Sequence, residues 1–517
     1  MRIFGRTVTI ISLTLLLACQ TTPLFAQDTL YRLVVLNADD SGEQAKAYAI
    51  NNTGQVVGWM VSGGSHHAAH WFVEVTTDLN GTPHFELQHA GLFNQGYQEA
   101  YDISNGDQIV GTARHSITCP PEILYTAAFI LRPGVLTDLA TPYAGEALTN
   151  LGTFQGPCAG AYDSAATSIS NFNHIVGWSD RDDGTAHAFI SVSAGAFTDL
   201  WTLRGDTDLV SAATAVNDEG AVTGYSYTLA IPAGASNTRA VYHAFIIVPN
   251  DTNSDGIGDE WYVNGGNNAN ALMDDLGTLG GYNSWGRAVN NLGHVVGESD
   301  TDPADTGGKN LTRAFLWKNG NMRDLGGLTT TGYSAASGIN DDDIIVGWAT
   351  NVDNQRRAAL FKDGDVYDLN ELICTVNEDG TTTAPSITLT EARDINEDGW
   401  IVGWGNARGS NNTGTRGFLL IPMDADDCPE PLIPDGHSSS GGAGNGGGSG
   451  TGAGGTPISG TPQNLEEPAQ NNDQDNGTGG AAPAGLCGFG AISLLPLTLA
   501  GLTWMKRHPG RWRKIAK

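Results

Sequence analysis

The stretch Ala392-Arg393-Asp394-Ile395-Asn396-Glu397-Asp398-Gly399-Trp400-Ile401-Val402-Gly403-Trp404 decides how the chain is read. Its pattern is a small residue, then Ile-Asn, two polar residues, Gly, an apolar pair and a second Gly. The pattern returns around Ile50-Asn51…Gly58, Ile103-Ser104…Gly111, Ile169-Ser170…Gly177, Val216-Asn217…Gly224, Val289-Asn290…Gly297 and Ile339-Asn340…Gly347, which makes seven copies. A repeat of this kind is one supersecondary unit that buries its apolar face only against its neighbours.

Each copy reads as a tight β-hairpin. The first turn position is always Asn or Ser, whose side chains bond back to the turn's own backbone. The fourth is Gly54, Asp107, Asn173, Gly220, Gly293, Asp343 or Gly399, the residue types that adopt positive φ at least cost. The apolar flanks are strand-like. The second Gly never changes, and we expect it where neighbouring units crowd together.

Outside the hairpin, each unit adds a short apolar run, such as His187-Ala188-Phe189, His243-Ala244-Phe245 or Ala314-Phe315-Leu316. A Gly-bearing turn and Asp-Leu follow, at Asp138, Asp199, Asp275, Asp324 and Asp368. Four strands in each of seven units of about 56 residues, over residues 30–422, predict an all-β fold, a β-propeller of seven four-stranded blades. The last unit stops at Phe418-Leu-Leu-Ile-Pro422 without its Asp-Leu strand, while Tyr31–Leu36 has no hairpin before it. That orphan strand is expected to complete the seventh blade and close the ring, leaving few exposed sheet edges.

These motifs, clearest at His187-Ala188-Phe189, His243-Ala244-Phe245, Asp275-Leu-Gly-Thr-Leu-Gly-Gly281 and Asp324-Leu-Gly-Gly-Leu328, resemble the HAF-repeat family of extracellular proteins. Arg313, Arg357 and Arg416 stand where the family pattern has His. The resemblance implies export and a repeat fold, and no particular reaction.

Charge agrees with an extracellular setting. The formal net charge is -30, and residues 28–475 hold all 56 acids against 18 of the 26 Lys and Arg. Such a surface repels nucleic acid and anionic membranes. At the N-terminus, Arg2 and Arg6, an apolar run from Val8 to Ala18 and Leu24-Phe25-Ala26 read as a signal peptide over residues 1–26, cleaved after Ala26. Cys19 at the end of Leu16-Leu17-Ala18-Cys19 offers lipidation as the alternative.

Residues 434–485 form a Gly/Ser/Asn-rich linker, and residues 486–517 carry Cys487, an apolar stretch to Met505 and a basic end. The stretch is long enough to span a bilayer, with the basic end cytoplasmic. This tail resembles Myxo-type and GlyGly-type sorting signals, which would make Cys487 the processing site and give display at the cell surface.

Within the repeats, His187 and His243 recur at matching places, as do Trp59, Trp178, Tyr225, Trp348 and Trp404 after the second Gly. Recurrence argues for architecture: hydrogen bonding within the repeat for the His, packing between blades for the aromatics. The best chemical motif is Asp251-Thr-Asn253-Ser-Asp255-Gly-Ile257-Gly-Asp259, in an insertion between the third and fourth strands of the fourth blade. Alternate Asp/Asn with a turning Gly suits Ca²⁺, bound by Asp251, Asn253, Asp255, Asp259 and the carbonyl of Ile257. Tyr262 stands where an EF-hand has its bidentate Glu.

Six cysteines fit an exported chain, and disulfides Cys119–Cys158 and Cys374–Cys428 are expected to tie down loops. The function expected is a binding or adhesion module taking a glycan or protein at the cell surface. The alternative is a hydrolase or lyase of extracellular polysaccharide, for which Asp180, Asp182, Asp183, Asp302 and Asp305 are available but pick out no pair.

Overall fold

The computed structural model describes residues 29–428 apart from 37–43, 63, 78–82, 93–96, 118–122, 132–148, 153, 155–162, 193–195, 206–209, 231–238, 255–257, 268, 305–307, 309–310, 377–380, 409–413 and 425–427. The described residues form seven antiparallel four-stranded sheets, the blades of a β-propeller. Blade 1 comprises Ala45–Ile50, Gln55–Ser62, Ser65–Thr77 and Pro83–Leu92. Blade 2 comprises Gln98–Ile103, Ile109–Ile117, Ile123–Leu131 and Thr149–Gly152. Blade 3 runs through Ser164–Ile169, Ile175–Asp180, Ala186–Ser191 and Thr198–Trp201. Blade 4 runs through Ser211–Val216, Val222–Ala230, Arg239–Ile247 and Met273–Asp275. Gly280–Val289, Val295–Thr301, Thr312–Lys318 and Asn321–Asp324 make blade 5. Ser334–Ile339, Ile345–Thr350, Arg356–Lys362 and Asp365–Asp368 make blade 6.

Blade 7 is assembled from both ends of the ring. Its strands Ile387–Ile395, Ile401–Ala407 and Thr415–Asp424 take Thr29–Leu36 as their fourth member, paired antiparallel from Thr29↔Asp424 to Leu36↔Gly417. The closing strand is held on its other side too: the Tyr31 amide donates to Leu372 O at 2.8 Å, and the Cys374 amide donates to Tyr31 O at 2.9 Å. Cys374 is itself joined by a disulfide to Cys428, just beyond the last strand. An edge covered in this way offers no template for further strand pairing.

The hairpin reading holds in every blade. The fourth turn residue has positive φ in all seven, from 59° at Asp343 to 82° at Gly54. The first turn residue caps its own loop. Asn396 Oδ1, for example, accepts from the Asp398 and Trp400 amides at 3.1 and 2.9 Å, and Ser170 Oγ accepts from Phe172 and His174 at 3.2 Å.

The second Gly does a different job from the one expected. Its crowding is within the blade: a Cβ on Gly403 would lie 2.1 Å from Glu391 O, and the other six would meet the equivalent carbonyl at 1.9–2.0 Å. The cause is a β-bulge that interrupts the first strand in all seven copies, as between Ala392 and Asp394. The bulge pushes the first strand's carbonyl into the space a side chain would fill. Across the second and third strands the same Gly faces a buried phenylalanine in five blades (Phe129, Phe189, Phe245, Phe315 and Phe418).

These five rings lie in five of seven separate apolar clusters, each cluster between two adjacent blades. The core is therefore a circle of seams around an axis, and the first strands of neighbouring blades touch one another round that axis. Such a core leaves the axis free for polar side chains.

Candidate functional site

A pocket of about 630 Å³ lies on the axis, within the size range of ligand pockets. Six of the seven residues three positions before the first turn residue line it: Tyr48, Tyr101, Thr167, Thr214, Arg287 and Arg393. The residue after the second Gly contributes Thr112, Trp178, Tyr225 and Trp404. These recurring aromatics were expected to pack between blades. Instead Trp178, Tyr225 and Trp404 stand on the axial wall, because the bulge and the alternation of the second strand turn that position inward.

Aromatic rings and cations are interleaved there. Lys46 Nζ lies 4.4 Å from the Trp404 ring centre, and the Arg356 guanidinium 3.8 Å from that of Trp348. Trp404 meets Tyr48 edge-on at 5.8 Å, and Trp59 Nε1 donates to the Tyr48 hydroxyl at 2.9 Å. His66 is sandwiched between Trp59 and Tyr97 at 4.2 and 4.5 Å. Burial pushes the His66 imidazole below its ordinary value. Burial, and then the Glu99 carboxylate, push Tyr48 and Tyr101 well above the ordinary phenol range. Tyr97 donates to Glu99 at 2.7 Å and, chiefly through burial, is pushed up to about 12. All three phenols stay protonated and able to donate.

The carboxylates near the axis are mostly committed. Glu391 pairs with Arg356 at 2.9 Å, Glu298 pairs with Arg287, and Glu99 is held by Tyr97 and His66. Asp102 and Asp394, one residue nearer the turn than the tyrosine and arginine positions, stitch blades together. Asp394 accepts from the Ile395 and Ile50 amides at 2.9 Å, and Asp102 from Ile103 and Ile169 at 2.8 Å. Burial pushes Asp102 up to about 6 and, with the Asp102 charge adding to it, Asp394 up to about 7.

The recurring histidines are structural. His187 and His243 hold the Asp of the Asp-Leu strand in their own blades, Asp199 at 2.9 Å and Asp275 at 2.8 Å. Arg357 faces Asp368 at 3.6 Å in the same way.

In the acidic loop, Asp251 accepts from the Ser254 amide at 2.6 Å, and Asp259 Oδ1 from the Thr252 amide and hydroxyl at 3.0 and 2.7 Å. Those bonds from Thr252 lower the Asp259 carboxyl below its ordinary value. Asp251, Asn253 and Asp259 are exposed; Asp255 and Ile257 lie outside the described residues. Among the described residues no group of three or more His, Cys, Asp or Glu is gathered for a metal. Cys119, Cys158, Ala26, Cys19 and Cys487, with the signal, linker and tail segments, also lie outside the described residues. Among the described residues no helix is long and apolar enough to cross a membrane.

A family model described as "Protein of unknown function (DUF3466)" matches residues 326–431. That similarity spans blades 6 and 7 and includes Arg356, Glu391, Arg393 and Trp404. No curated protein matches the chain.

The sequence reading missed the axial positions. The signal was present in the repeat itself: three residues before the turn, seven equivalent places hold Tyr48, Tyr101, Thr167, Thr214, Arg287, Ser337 and Arg393. A position that recurs in geometry but not in chemistry is where a ring of like units becomes unlike.

Proposed function

We propose that this protein is an exported binding or adhesion module, displayed at the cell surface, that takes a glycan or protein ligand in its axial pocket. The observation that carries the reading is the pocket of about 630 Å³ whose wall sets aromatic faces beside charged and hydroxyl groups that differ from blade to blade. Aromatic faces with a few placed polar groups are the usual furniture of a ligand site. Export rests on the signal-like residues 1–26, on the resemblance to the HAF-repeat family and on the acidic surface, and surface display rests on the sorting-type tail at 486–517 with Cys487. Ca²⁺ belongs to the proposal as a ligand of Asp251, Asn253, Asp255, Ile257 and Asp259 in the blade 4 insertion, where alternate acids supply oxygen donors.

The test incubates the full chain with a panel of polysaccharides, with and without calcium, scoring retained protein and released oligosaccharide. The reading expects retention without release, and loss of retention in Trp404→Ala. Released oligosaccharide would overturn it in favour of a polysaccharide hydrolase or lyase. For the calcium site, Asp255→Ala should abolish a calorimetric calcium signal; an unchanged signal would remove that loop from the account.

A further inference from the structure

The charges at the axial pocket do not balance. Arg287 and Arg356 are paired with Glu298 and Glu391, while Glu99, bound by the Tyr97 phenol and by His66, keeps a carboxylate charge on the wall. Two cations on neighbouring blades remain. Arg393, on the first strand of blade 7, lines the pocket and makes no hydrogen bond or ion pair within 4 Å among the described residues. Lys46, on the first strand of blade 1, has only the faces of Trp404 and Trp59, at 4.4 and 5.9 Å, and no ion pair among the described residues. Both are half-buried, and Tyr48 lies within the electrostatic reach of Arg393. In a chain whose acids outnumber its cations by 56 to 26, Arg393 on the wall and Lys46 over the wall residue Trp404 are two cations on neighbouring blades without a direct ion pair, a local positive site in an acidic hull. The Arg393 guanidinium acts on the Glu391 and Asp394 carboxylates only through space, without a hydrogen bond to either, and so keeps its fork of donors for a ligand oxyanion.

The hydroxyls of the wall favour a particular neighbour for that oxyanion. Thr167 Oγ1 donates to Ala213 O and Thr214 Oγ1 to Gly286 O, each at 2.9 Å across a blade seam. With their protons spent, both oxygens can only accept, which suits the hydroxyl donors of a sugar. Trp404, beside Tyr48 and under Lys46, supplies a ring face.

Resting on the proposed axial binding site, we propose that its ligand class is an acidic sugar, a uronate whose carboxylate is received by Arg393 and Lys46 and whose ring lies against Trp404. The acidic hull repels a long polyanion, so the pocket takes a chain end or a short oligouronide and not the middle of a polymer.

The test is calorimetric titration of the full chain with an oligouronide and with the same oligosaccharide after its carboxylates are reduced to alcohols. The proposal expects carboxyl reduction to weaken binding at least tenfold. Arg393→Gln should weaken the acid form by a similar factor, Arg393→Lys by less, and Arg323→Gln, an exposed cation on the fourth strand of blade 5, not at all. Acid and reduced sugars binding equally, with both lost in Trp404→Ala, would overturn the acidic class while leaving the axial site standing. Binding of neither, or binding that Trp404→Ala leaves unchanged, would overturn both. The comparison of the two sugars needs no variant, so a misfolded variant cannot rescue the idea.

Discussion

The turn end of the ring and its axial wall are built from the same first strands, yet they follow opposite rules. At the turn end two devices repeat round the ring, the first in five blades and the second in all seven. Asn51, Asn217, Asn290, Asn340 and Asn396 each donate through Nδ2 to a backbone carbonyl of the next blade, at 2.8–3.3 Å. One residue on, Asn52, Asn105, Asn171, Asp218, Asn291, Asp341 and Glu397 form a closed circle, each backbone amide donating to the next side-chain oxygen at 2.7–3.2 Å. Three residues before the turn the wall holds two tyrosines, two threonines, two arginines and a serine. Seven like contacts make a ring, whereas an asymmetric ligand requires that the seven places differ. Repetition marks architecture, and its breakdown marks the site.

Substitutions at repeated positions should therefore cost stability, and substitutions on the axial wall should cost binding. The largest effect is expected from Gly403→Ala, whose new methyl would meet Glu391 O at 2.1 Å and the Phe418 ring at 2.9 Å. It should lower unfolding stability by at least about 3 kcal/mol, read from the urea midpoint. Next, Cys374→Ser removes a link between residues 54 apart in sequence that backs the closing strand, at a cost of about 2–4 kcal/mol. Wild-type chain under reductant should show at least that shift.

Smaller again is Asn396→Ala, which opens its own turn and unties Asn51 O across the closure. Its cost should be about 1–3 kcal/mol, and that of Ser170→Ala, which has no Nδ2 to lose, about 1 kcal/mol. The seam acids add a pH signature. Because Asp394 and Asp102 are raised in the folded chain, their contribution is present in full below about pH 4 and is lost as pH rises through about 6 and 7. Asp394→Asn should narrow the fall in melting temperature between pH 5 and pH 8; an unaltered fall would place the pH dependence elsewhere. At the other extreme, Arg393→Gln should leave stability within about 0.5 kcal/mol while ligand affinity drops.

How far the sequence could be read follows the same division. The hairpin, its positive-φ position and the closing strand Tyr31–Leu36 are local or pairing properties, visible in residue type and in the missing strand of the last unit. The His–Asp pairs were half visible: a hydrogen-bonding role was legible, but the partner lies 12 residues away at Asp199 and 32 away at Asp275, across a strand pair. The second Gly was misread because its reason is a bulge, which shifts register without leaving a residue signature beyond a small partner such as Ala392. The same bulge hid the axial wall: simple alternation would put Arg393 on the face of Ile395, whereas Ile395 is buried in a seam with Ala392 and Arg393 lines the pocket. Nor does spacing announce that Asp394 reaches Ile50, 344 residues earlier.

The most direct test of the account is hydroxyl-radical footprinting of the full chain, alone and saturated with an oligosaccharide it retains. Protection at Tyr48, Tyr101 and Trp404 on the axial wall, with Phe172 and Leu292 on exposed turns unchanged, is the predicted result. Protection at the turns, with the axial aromatics as reactive as before, would contradict it, as would a chain that retains no ligand.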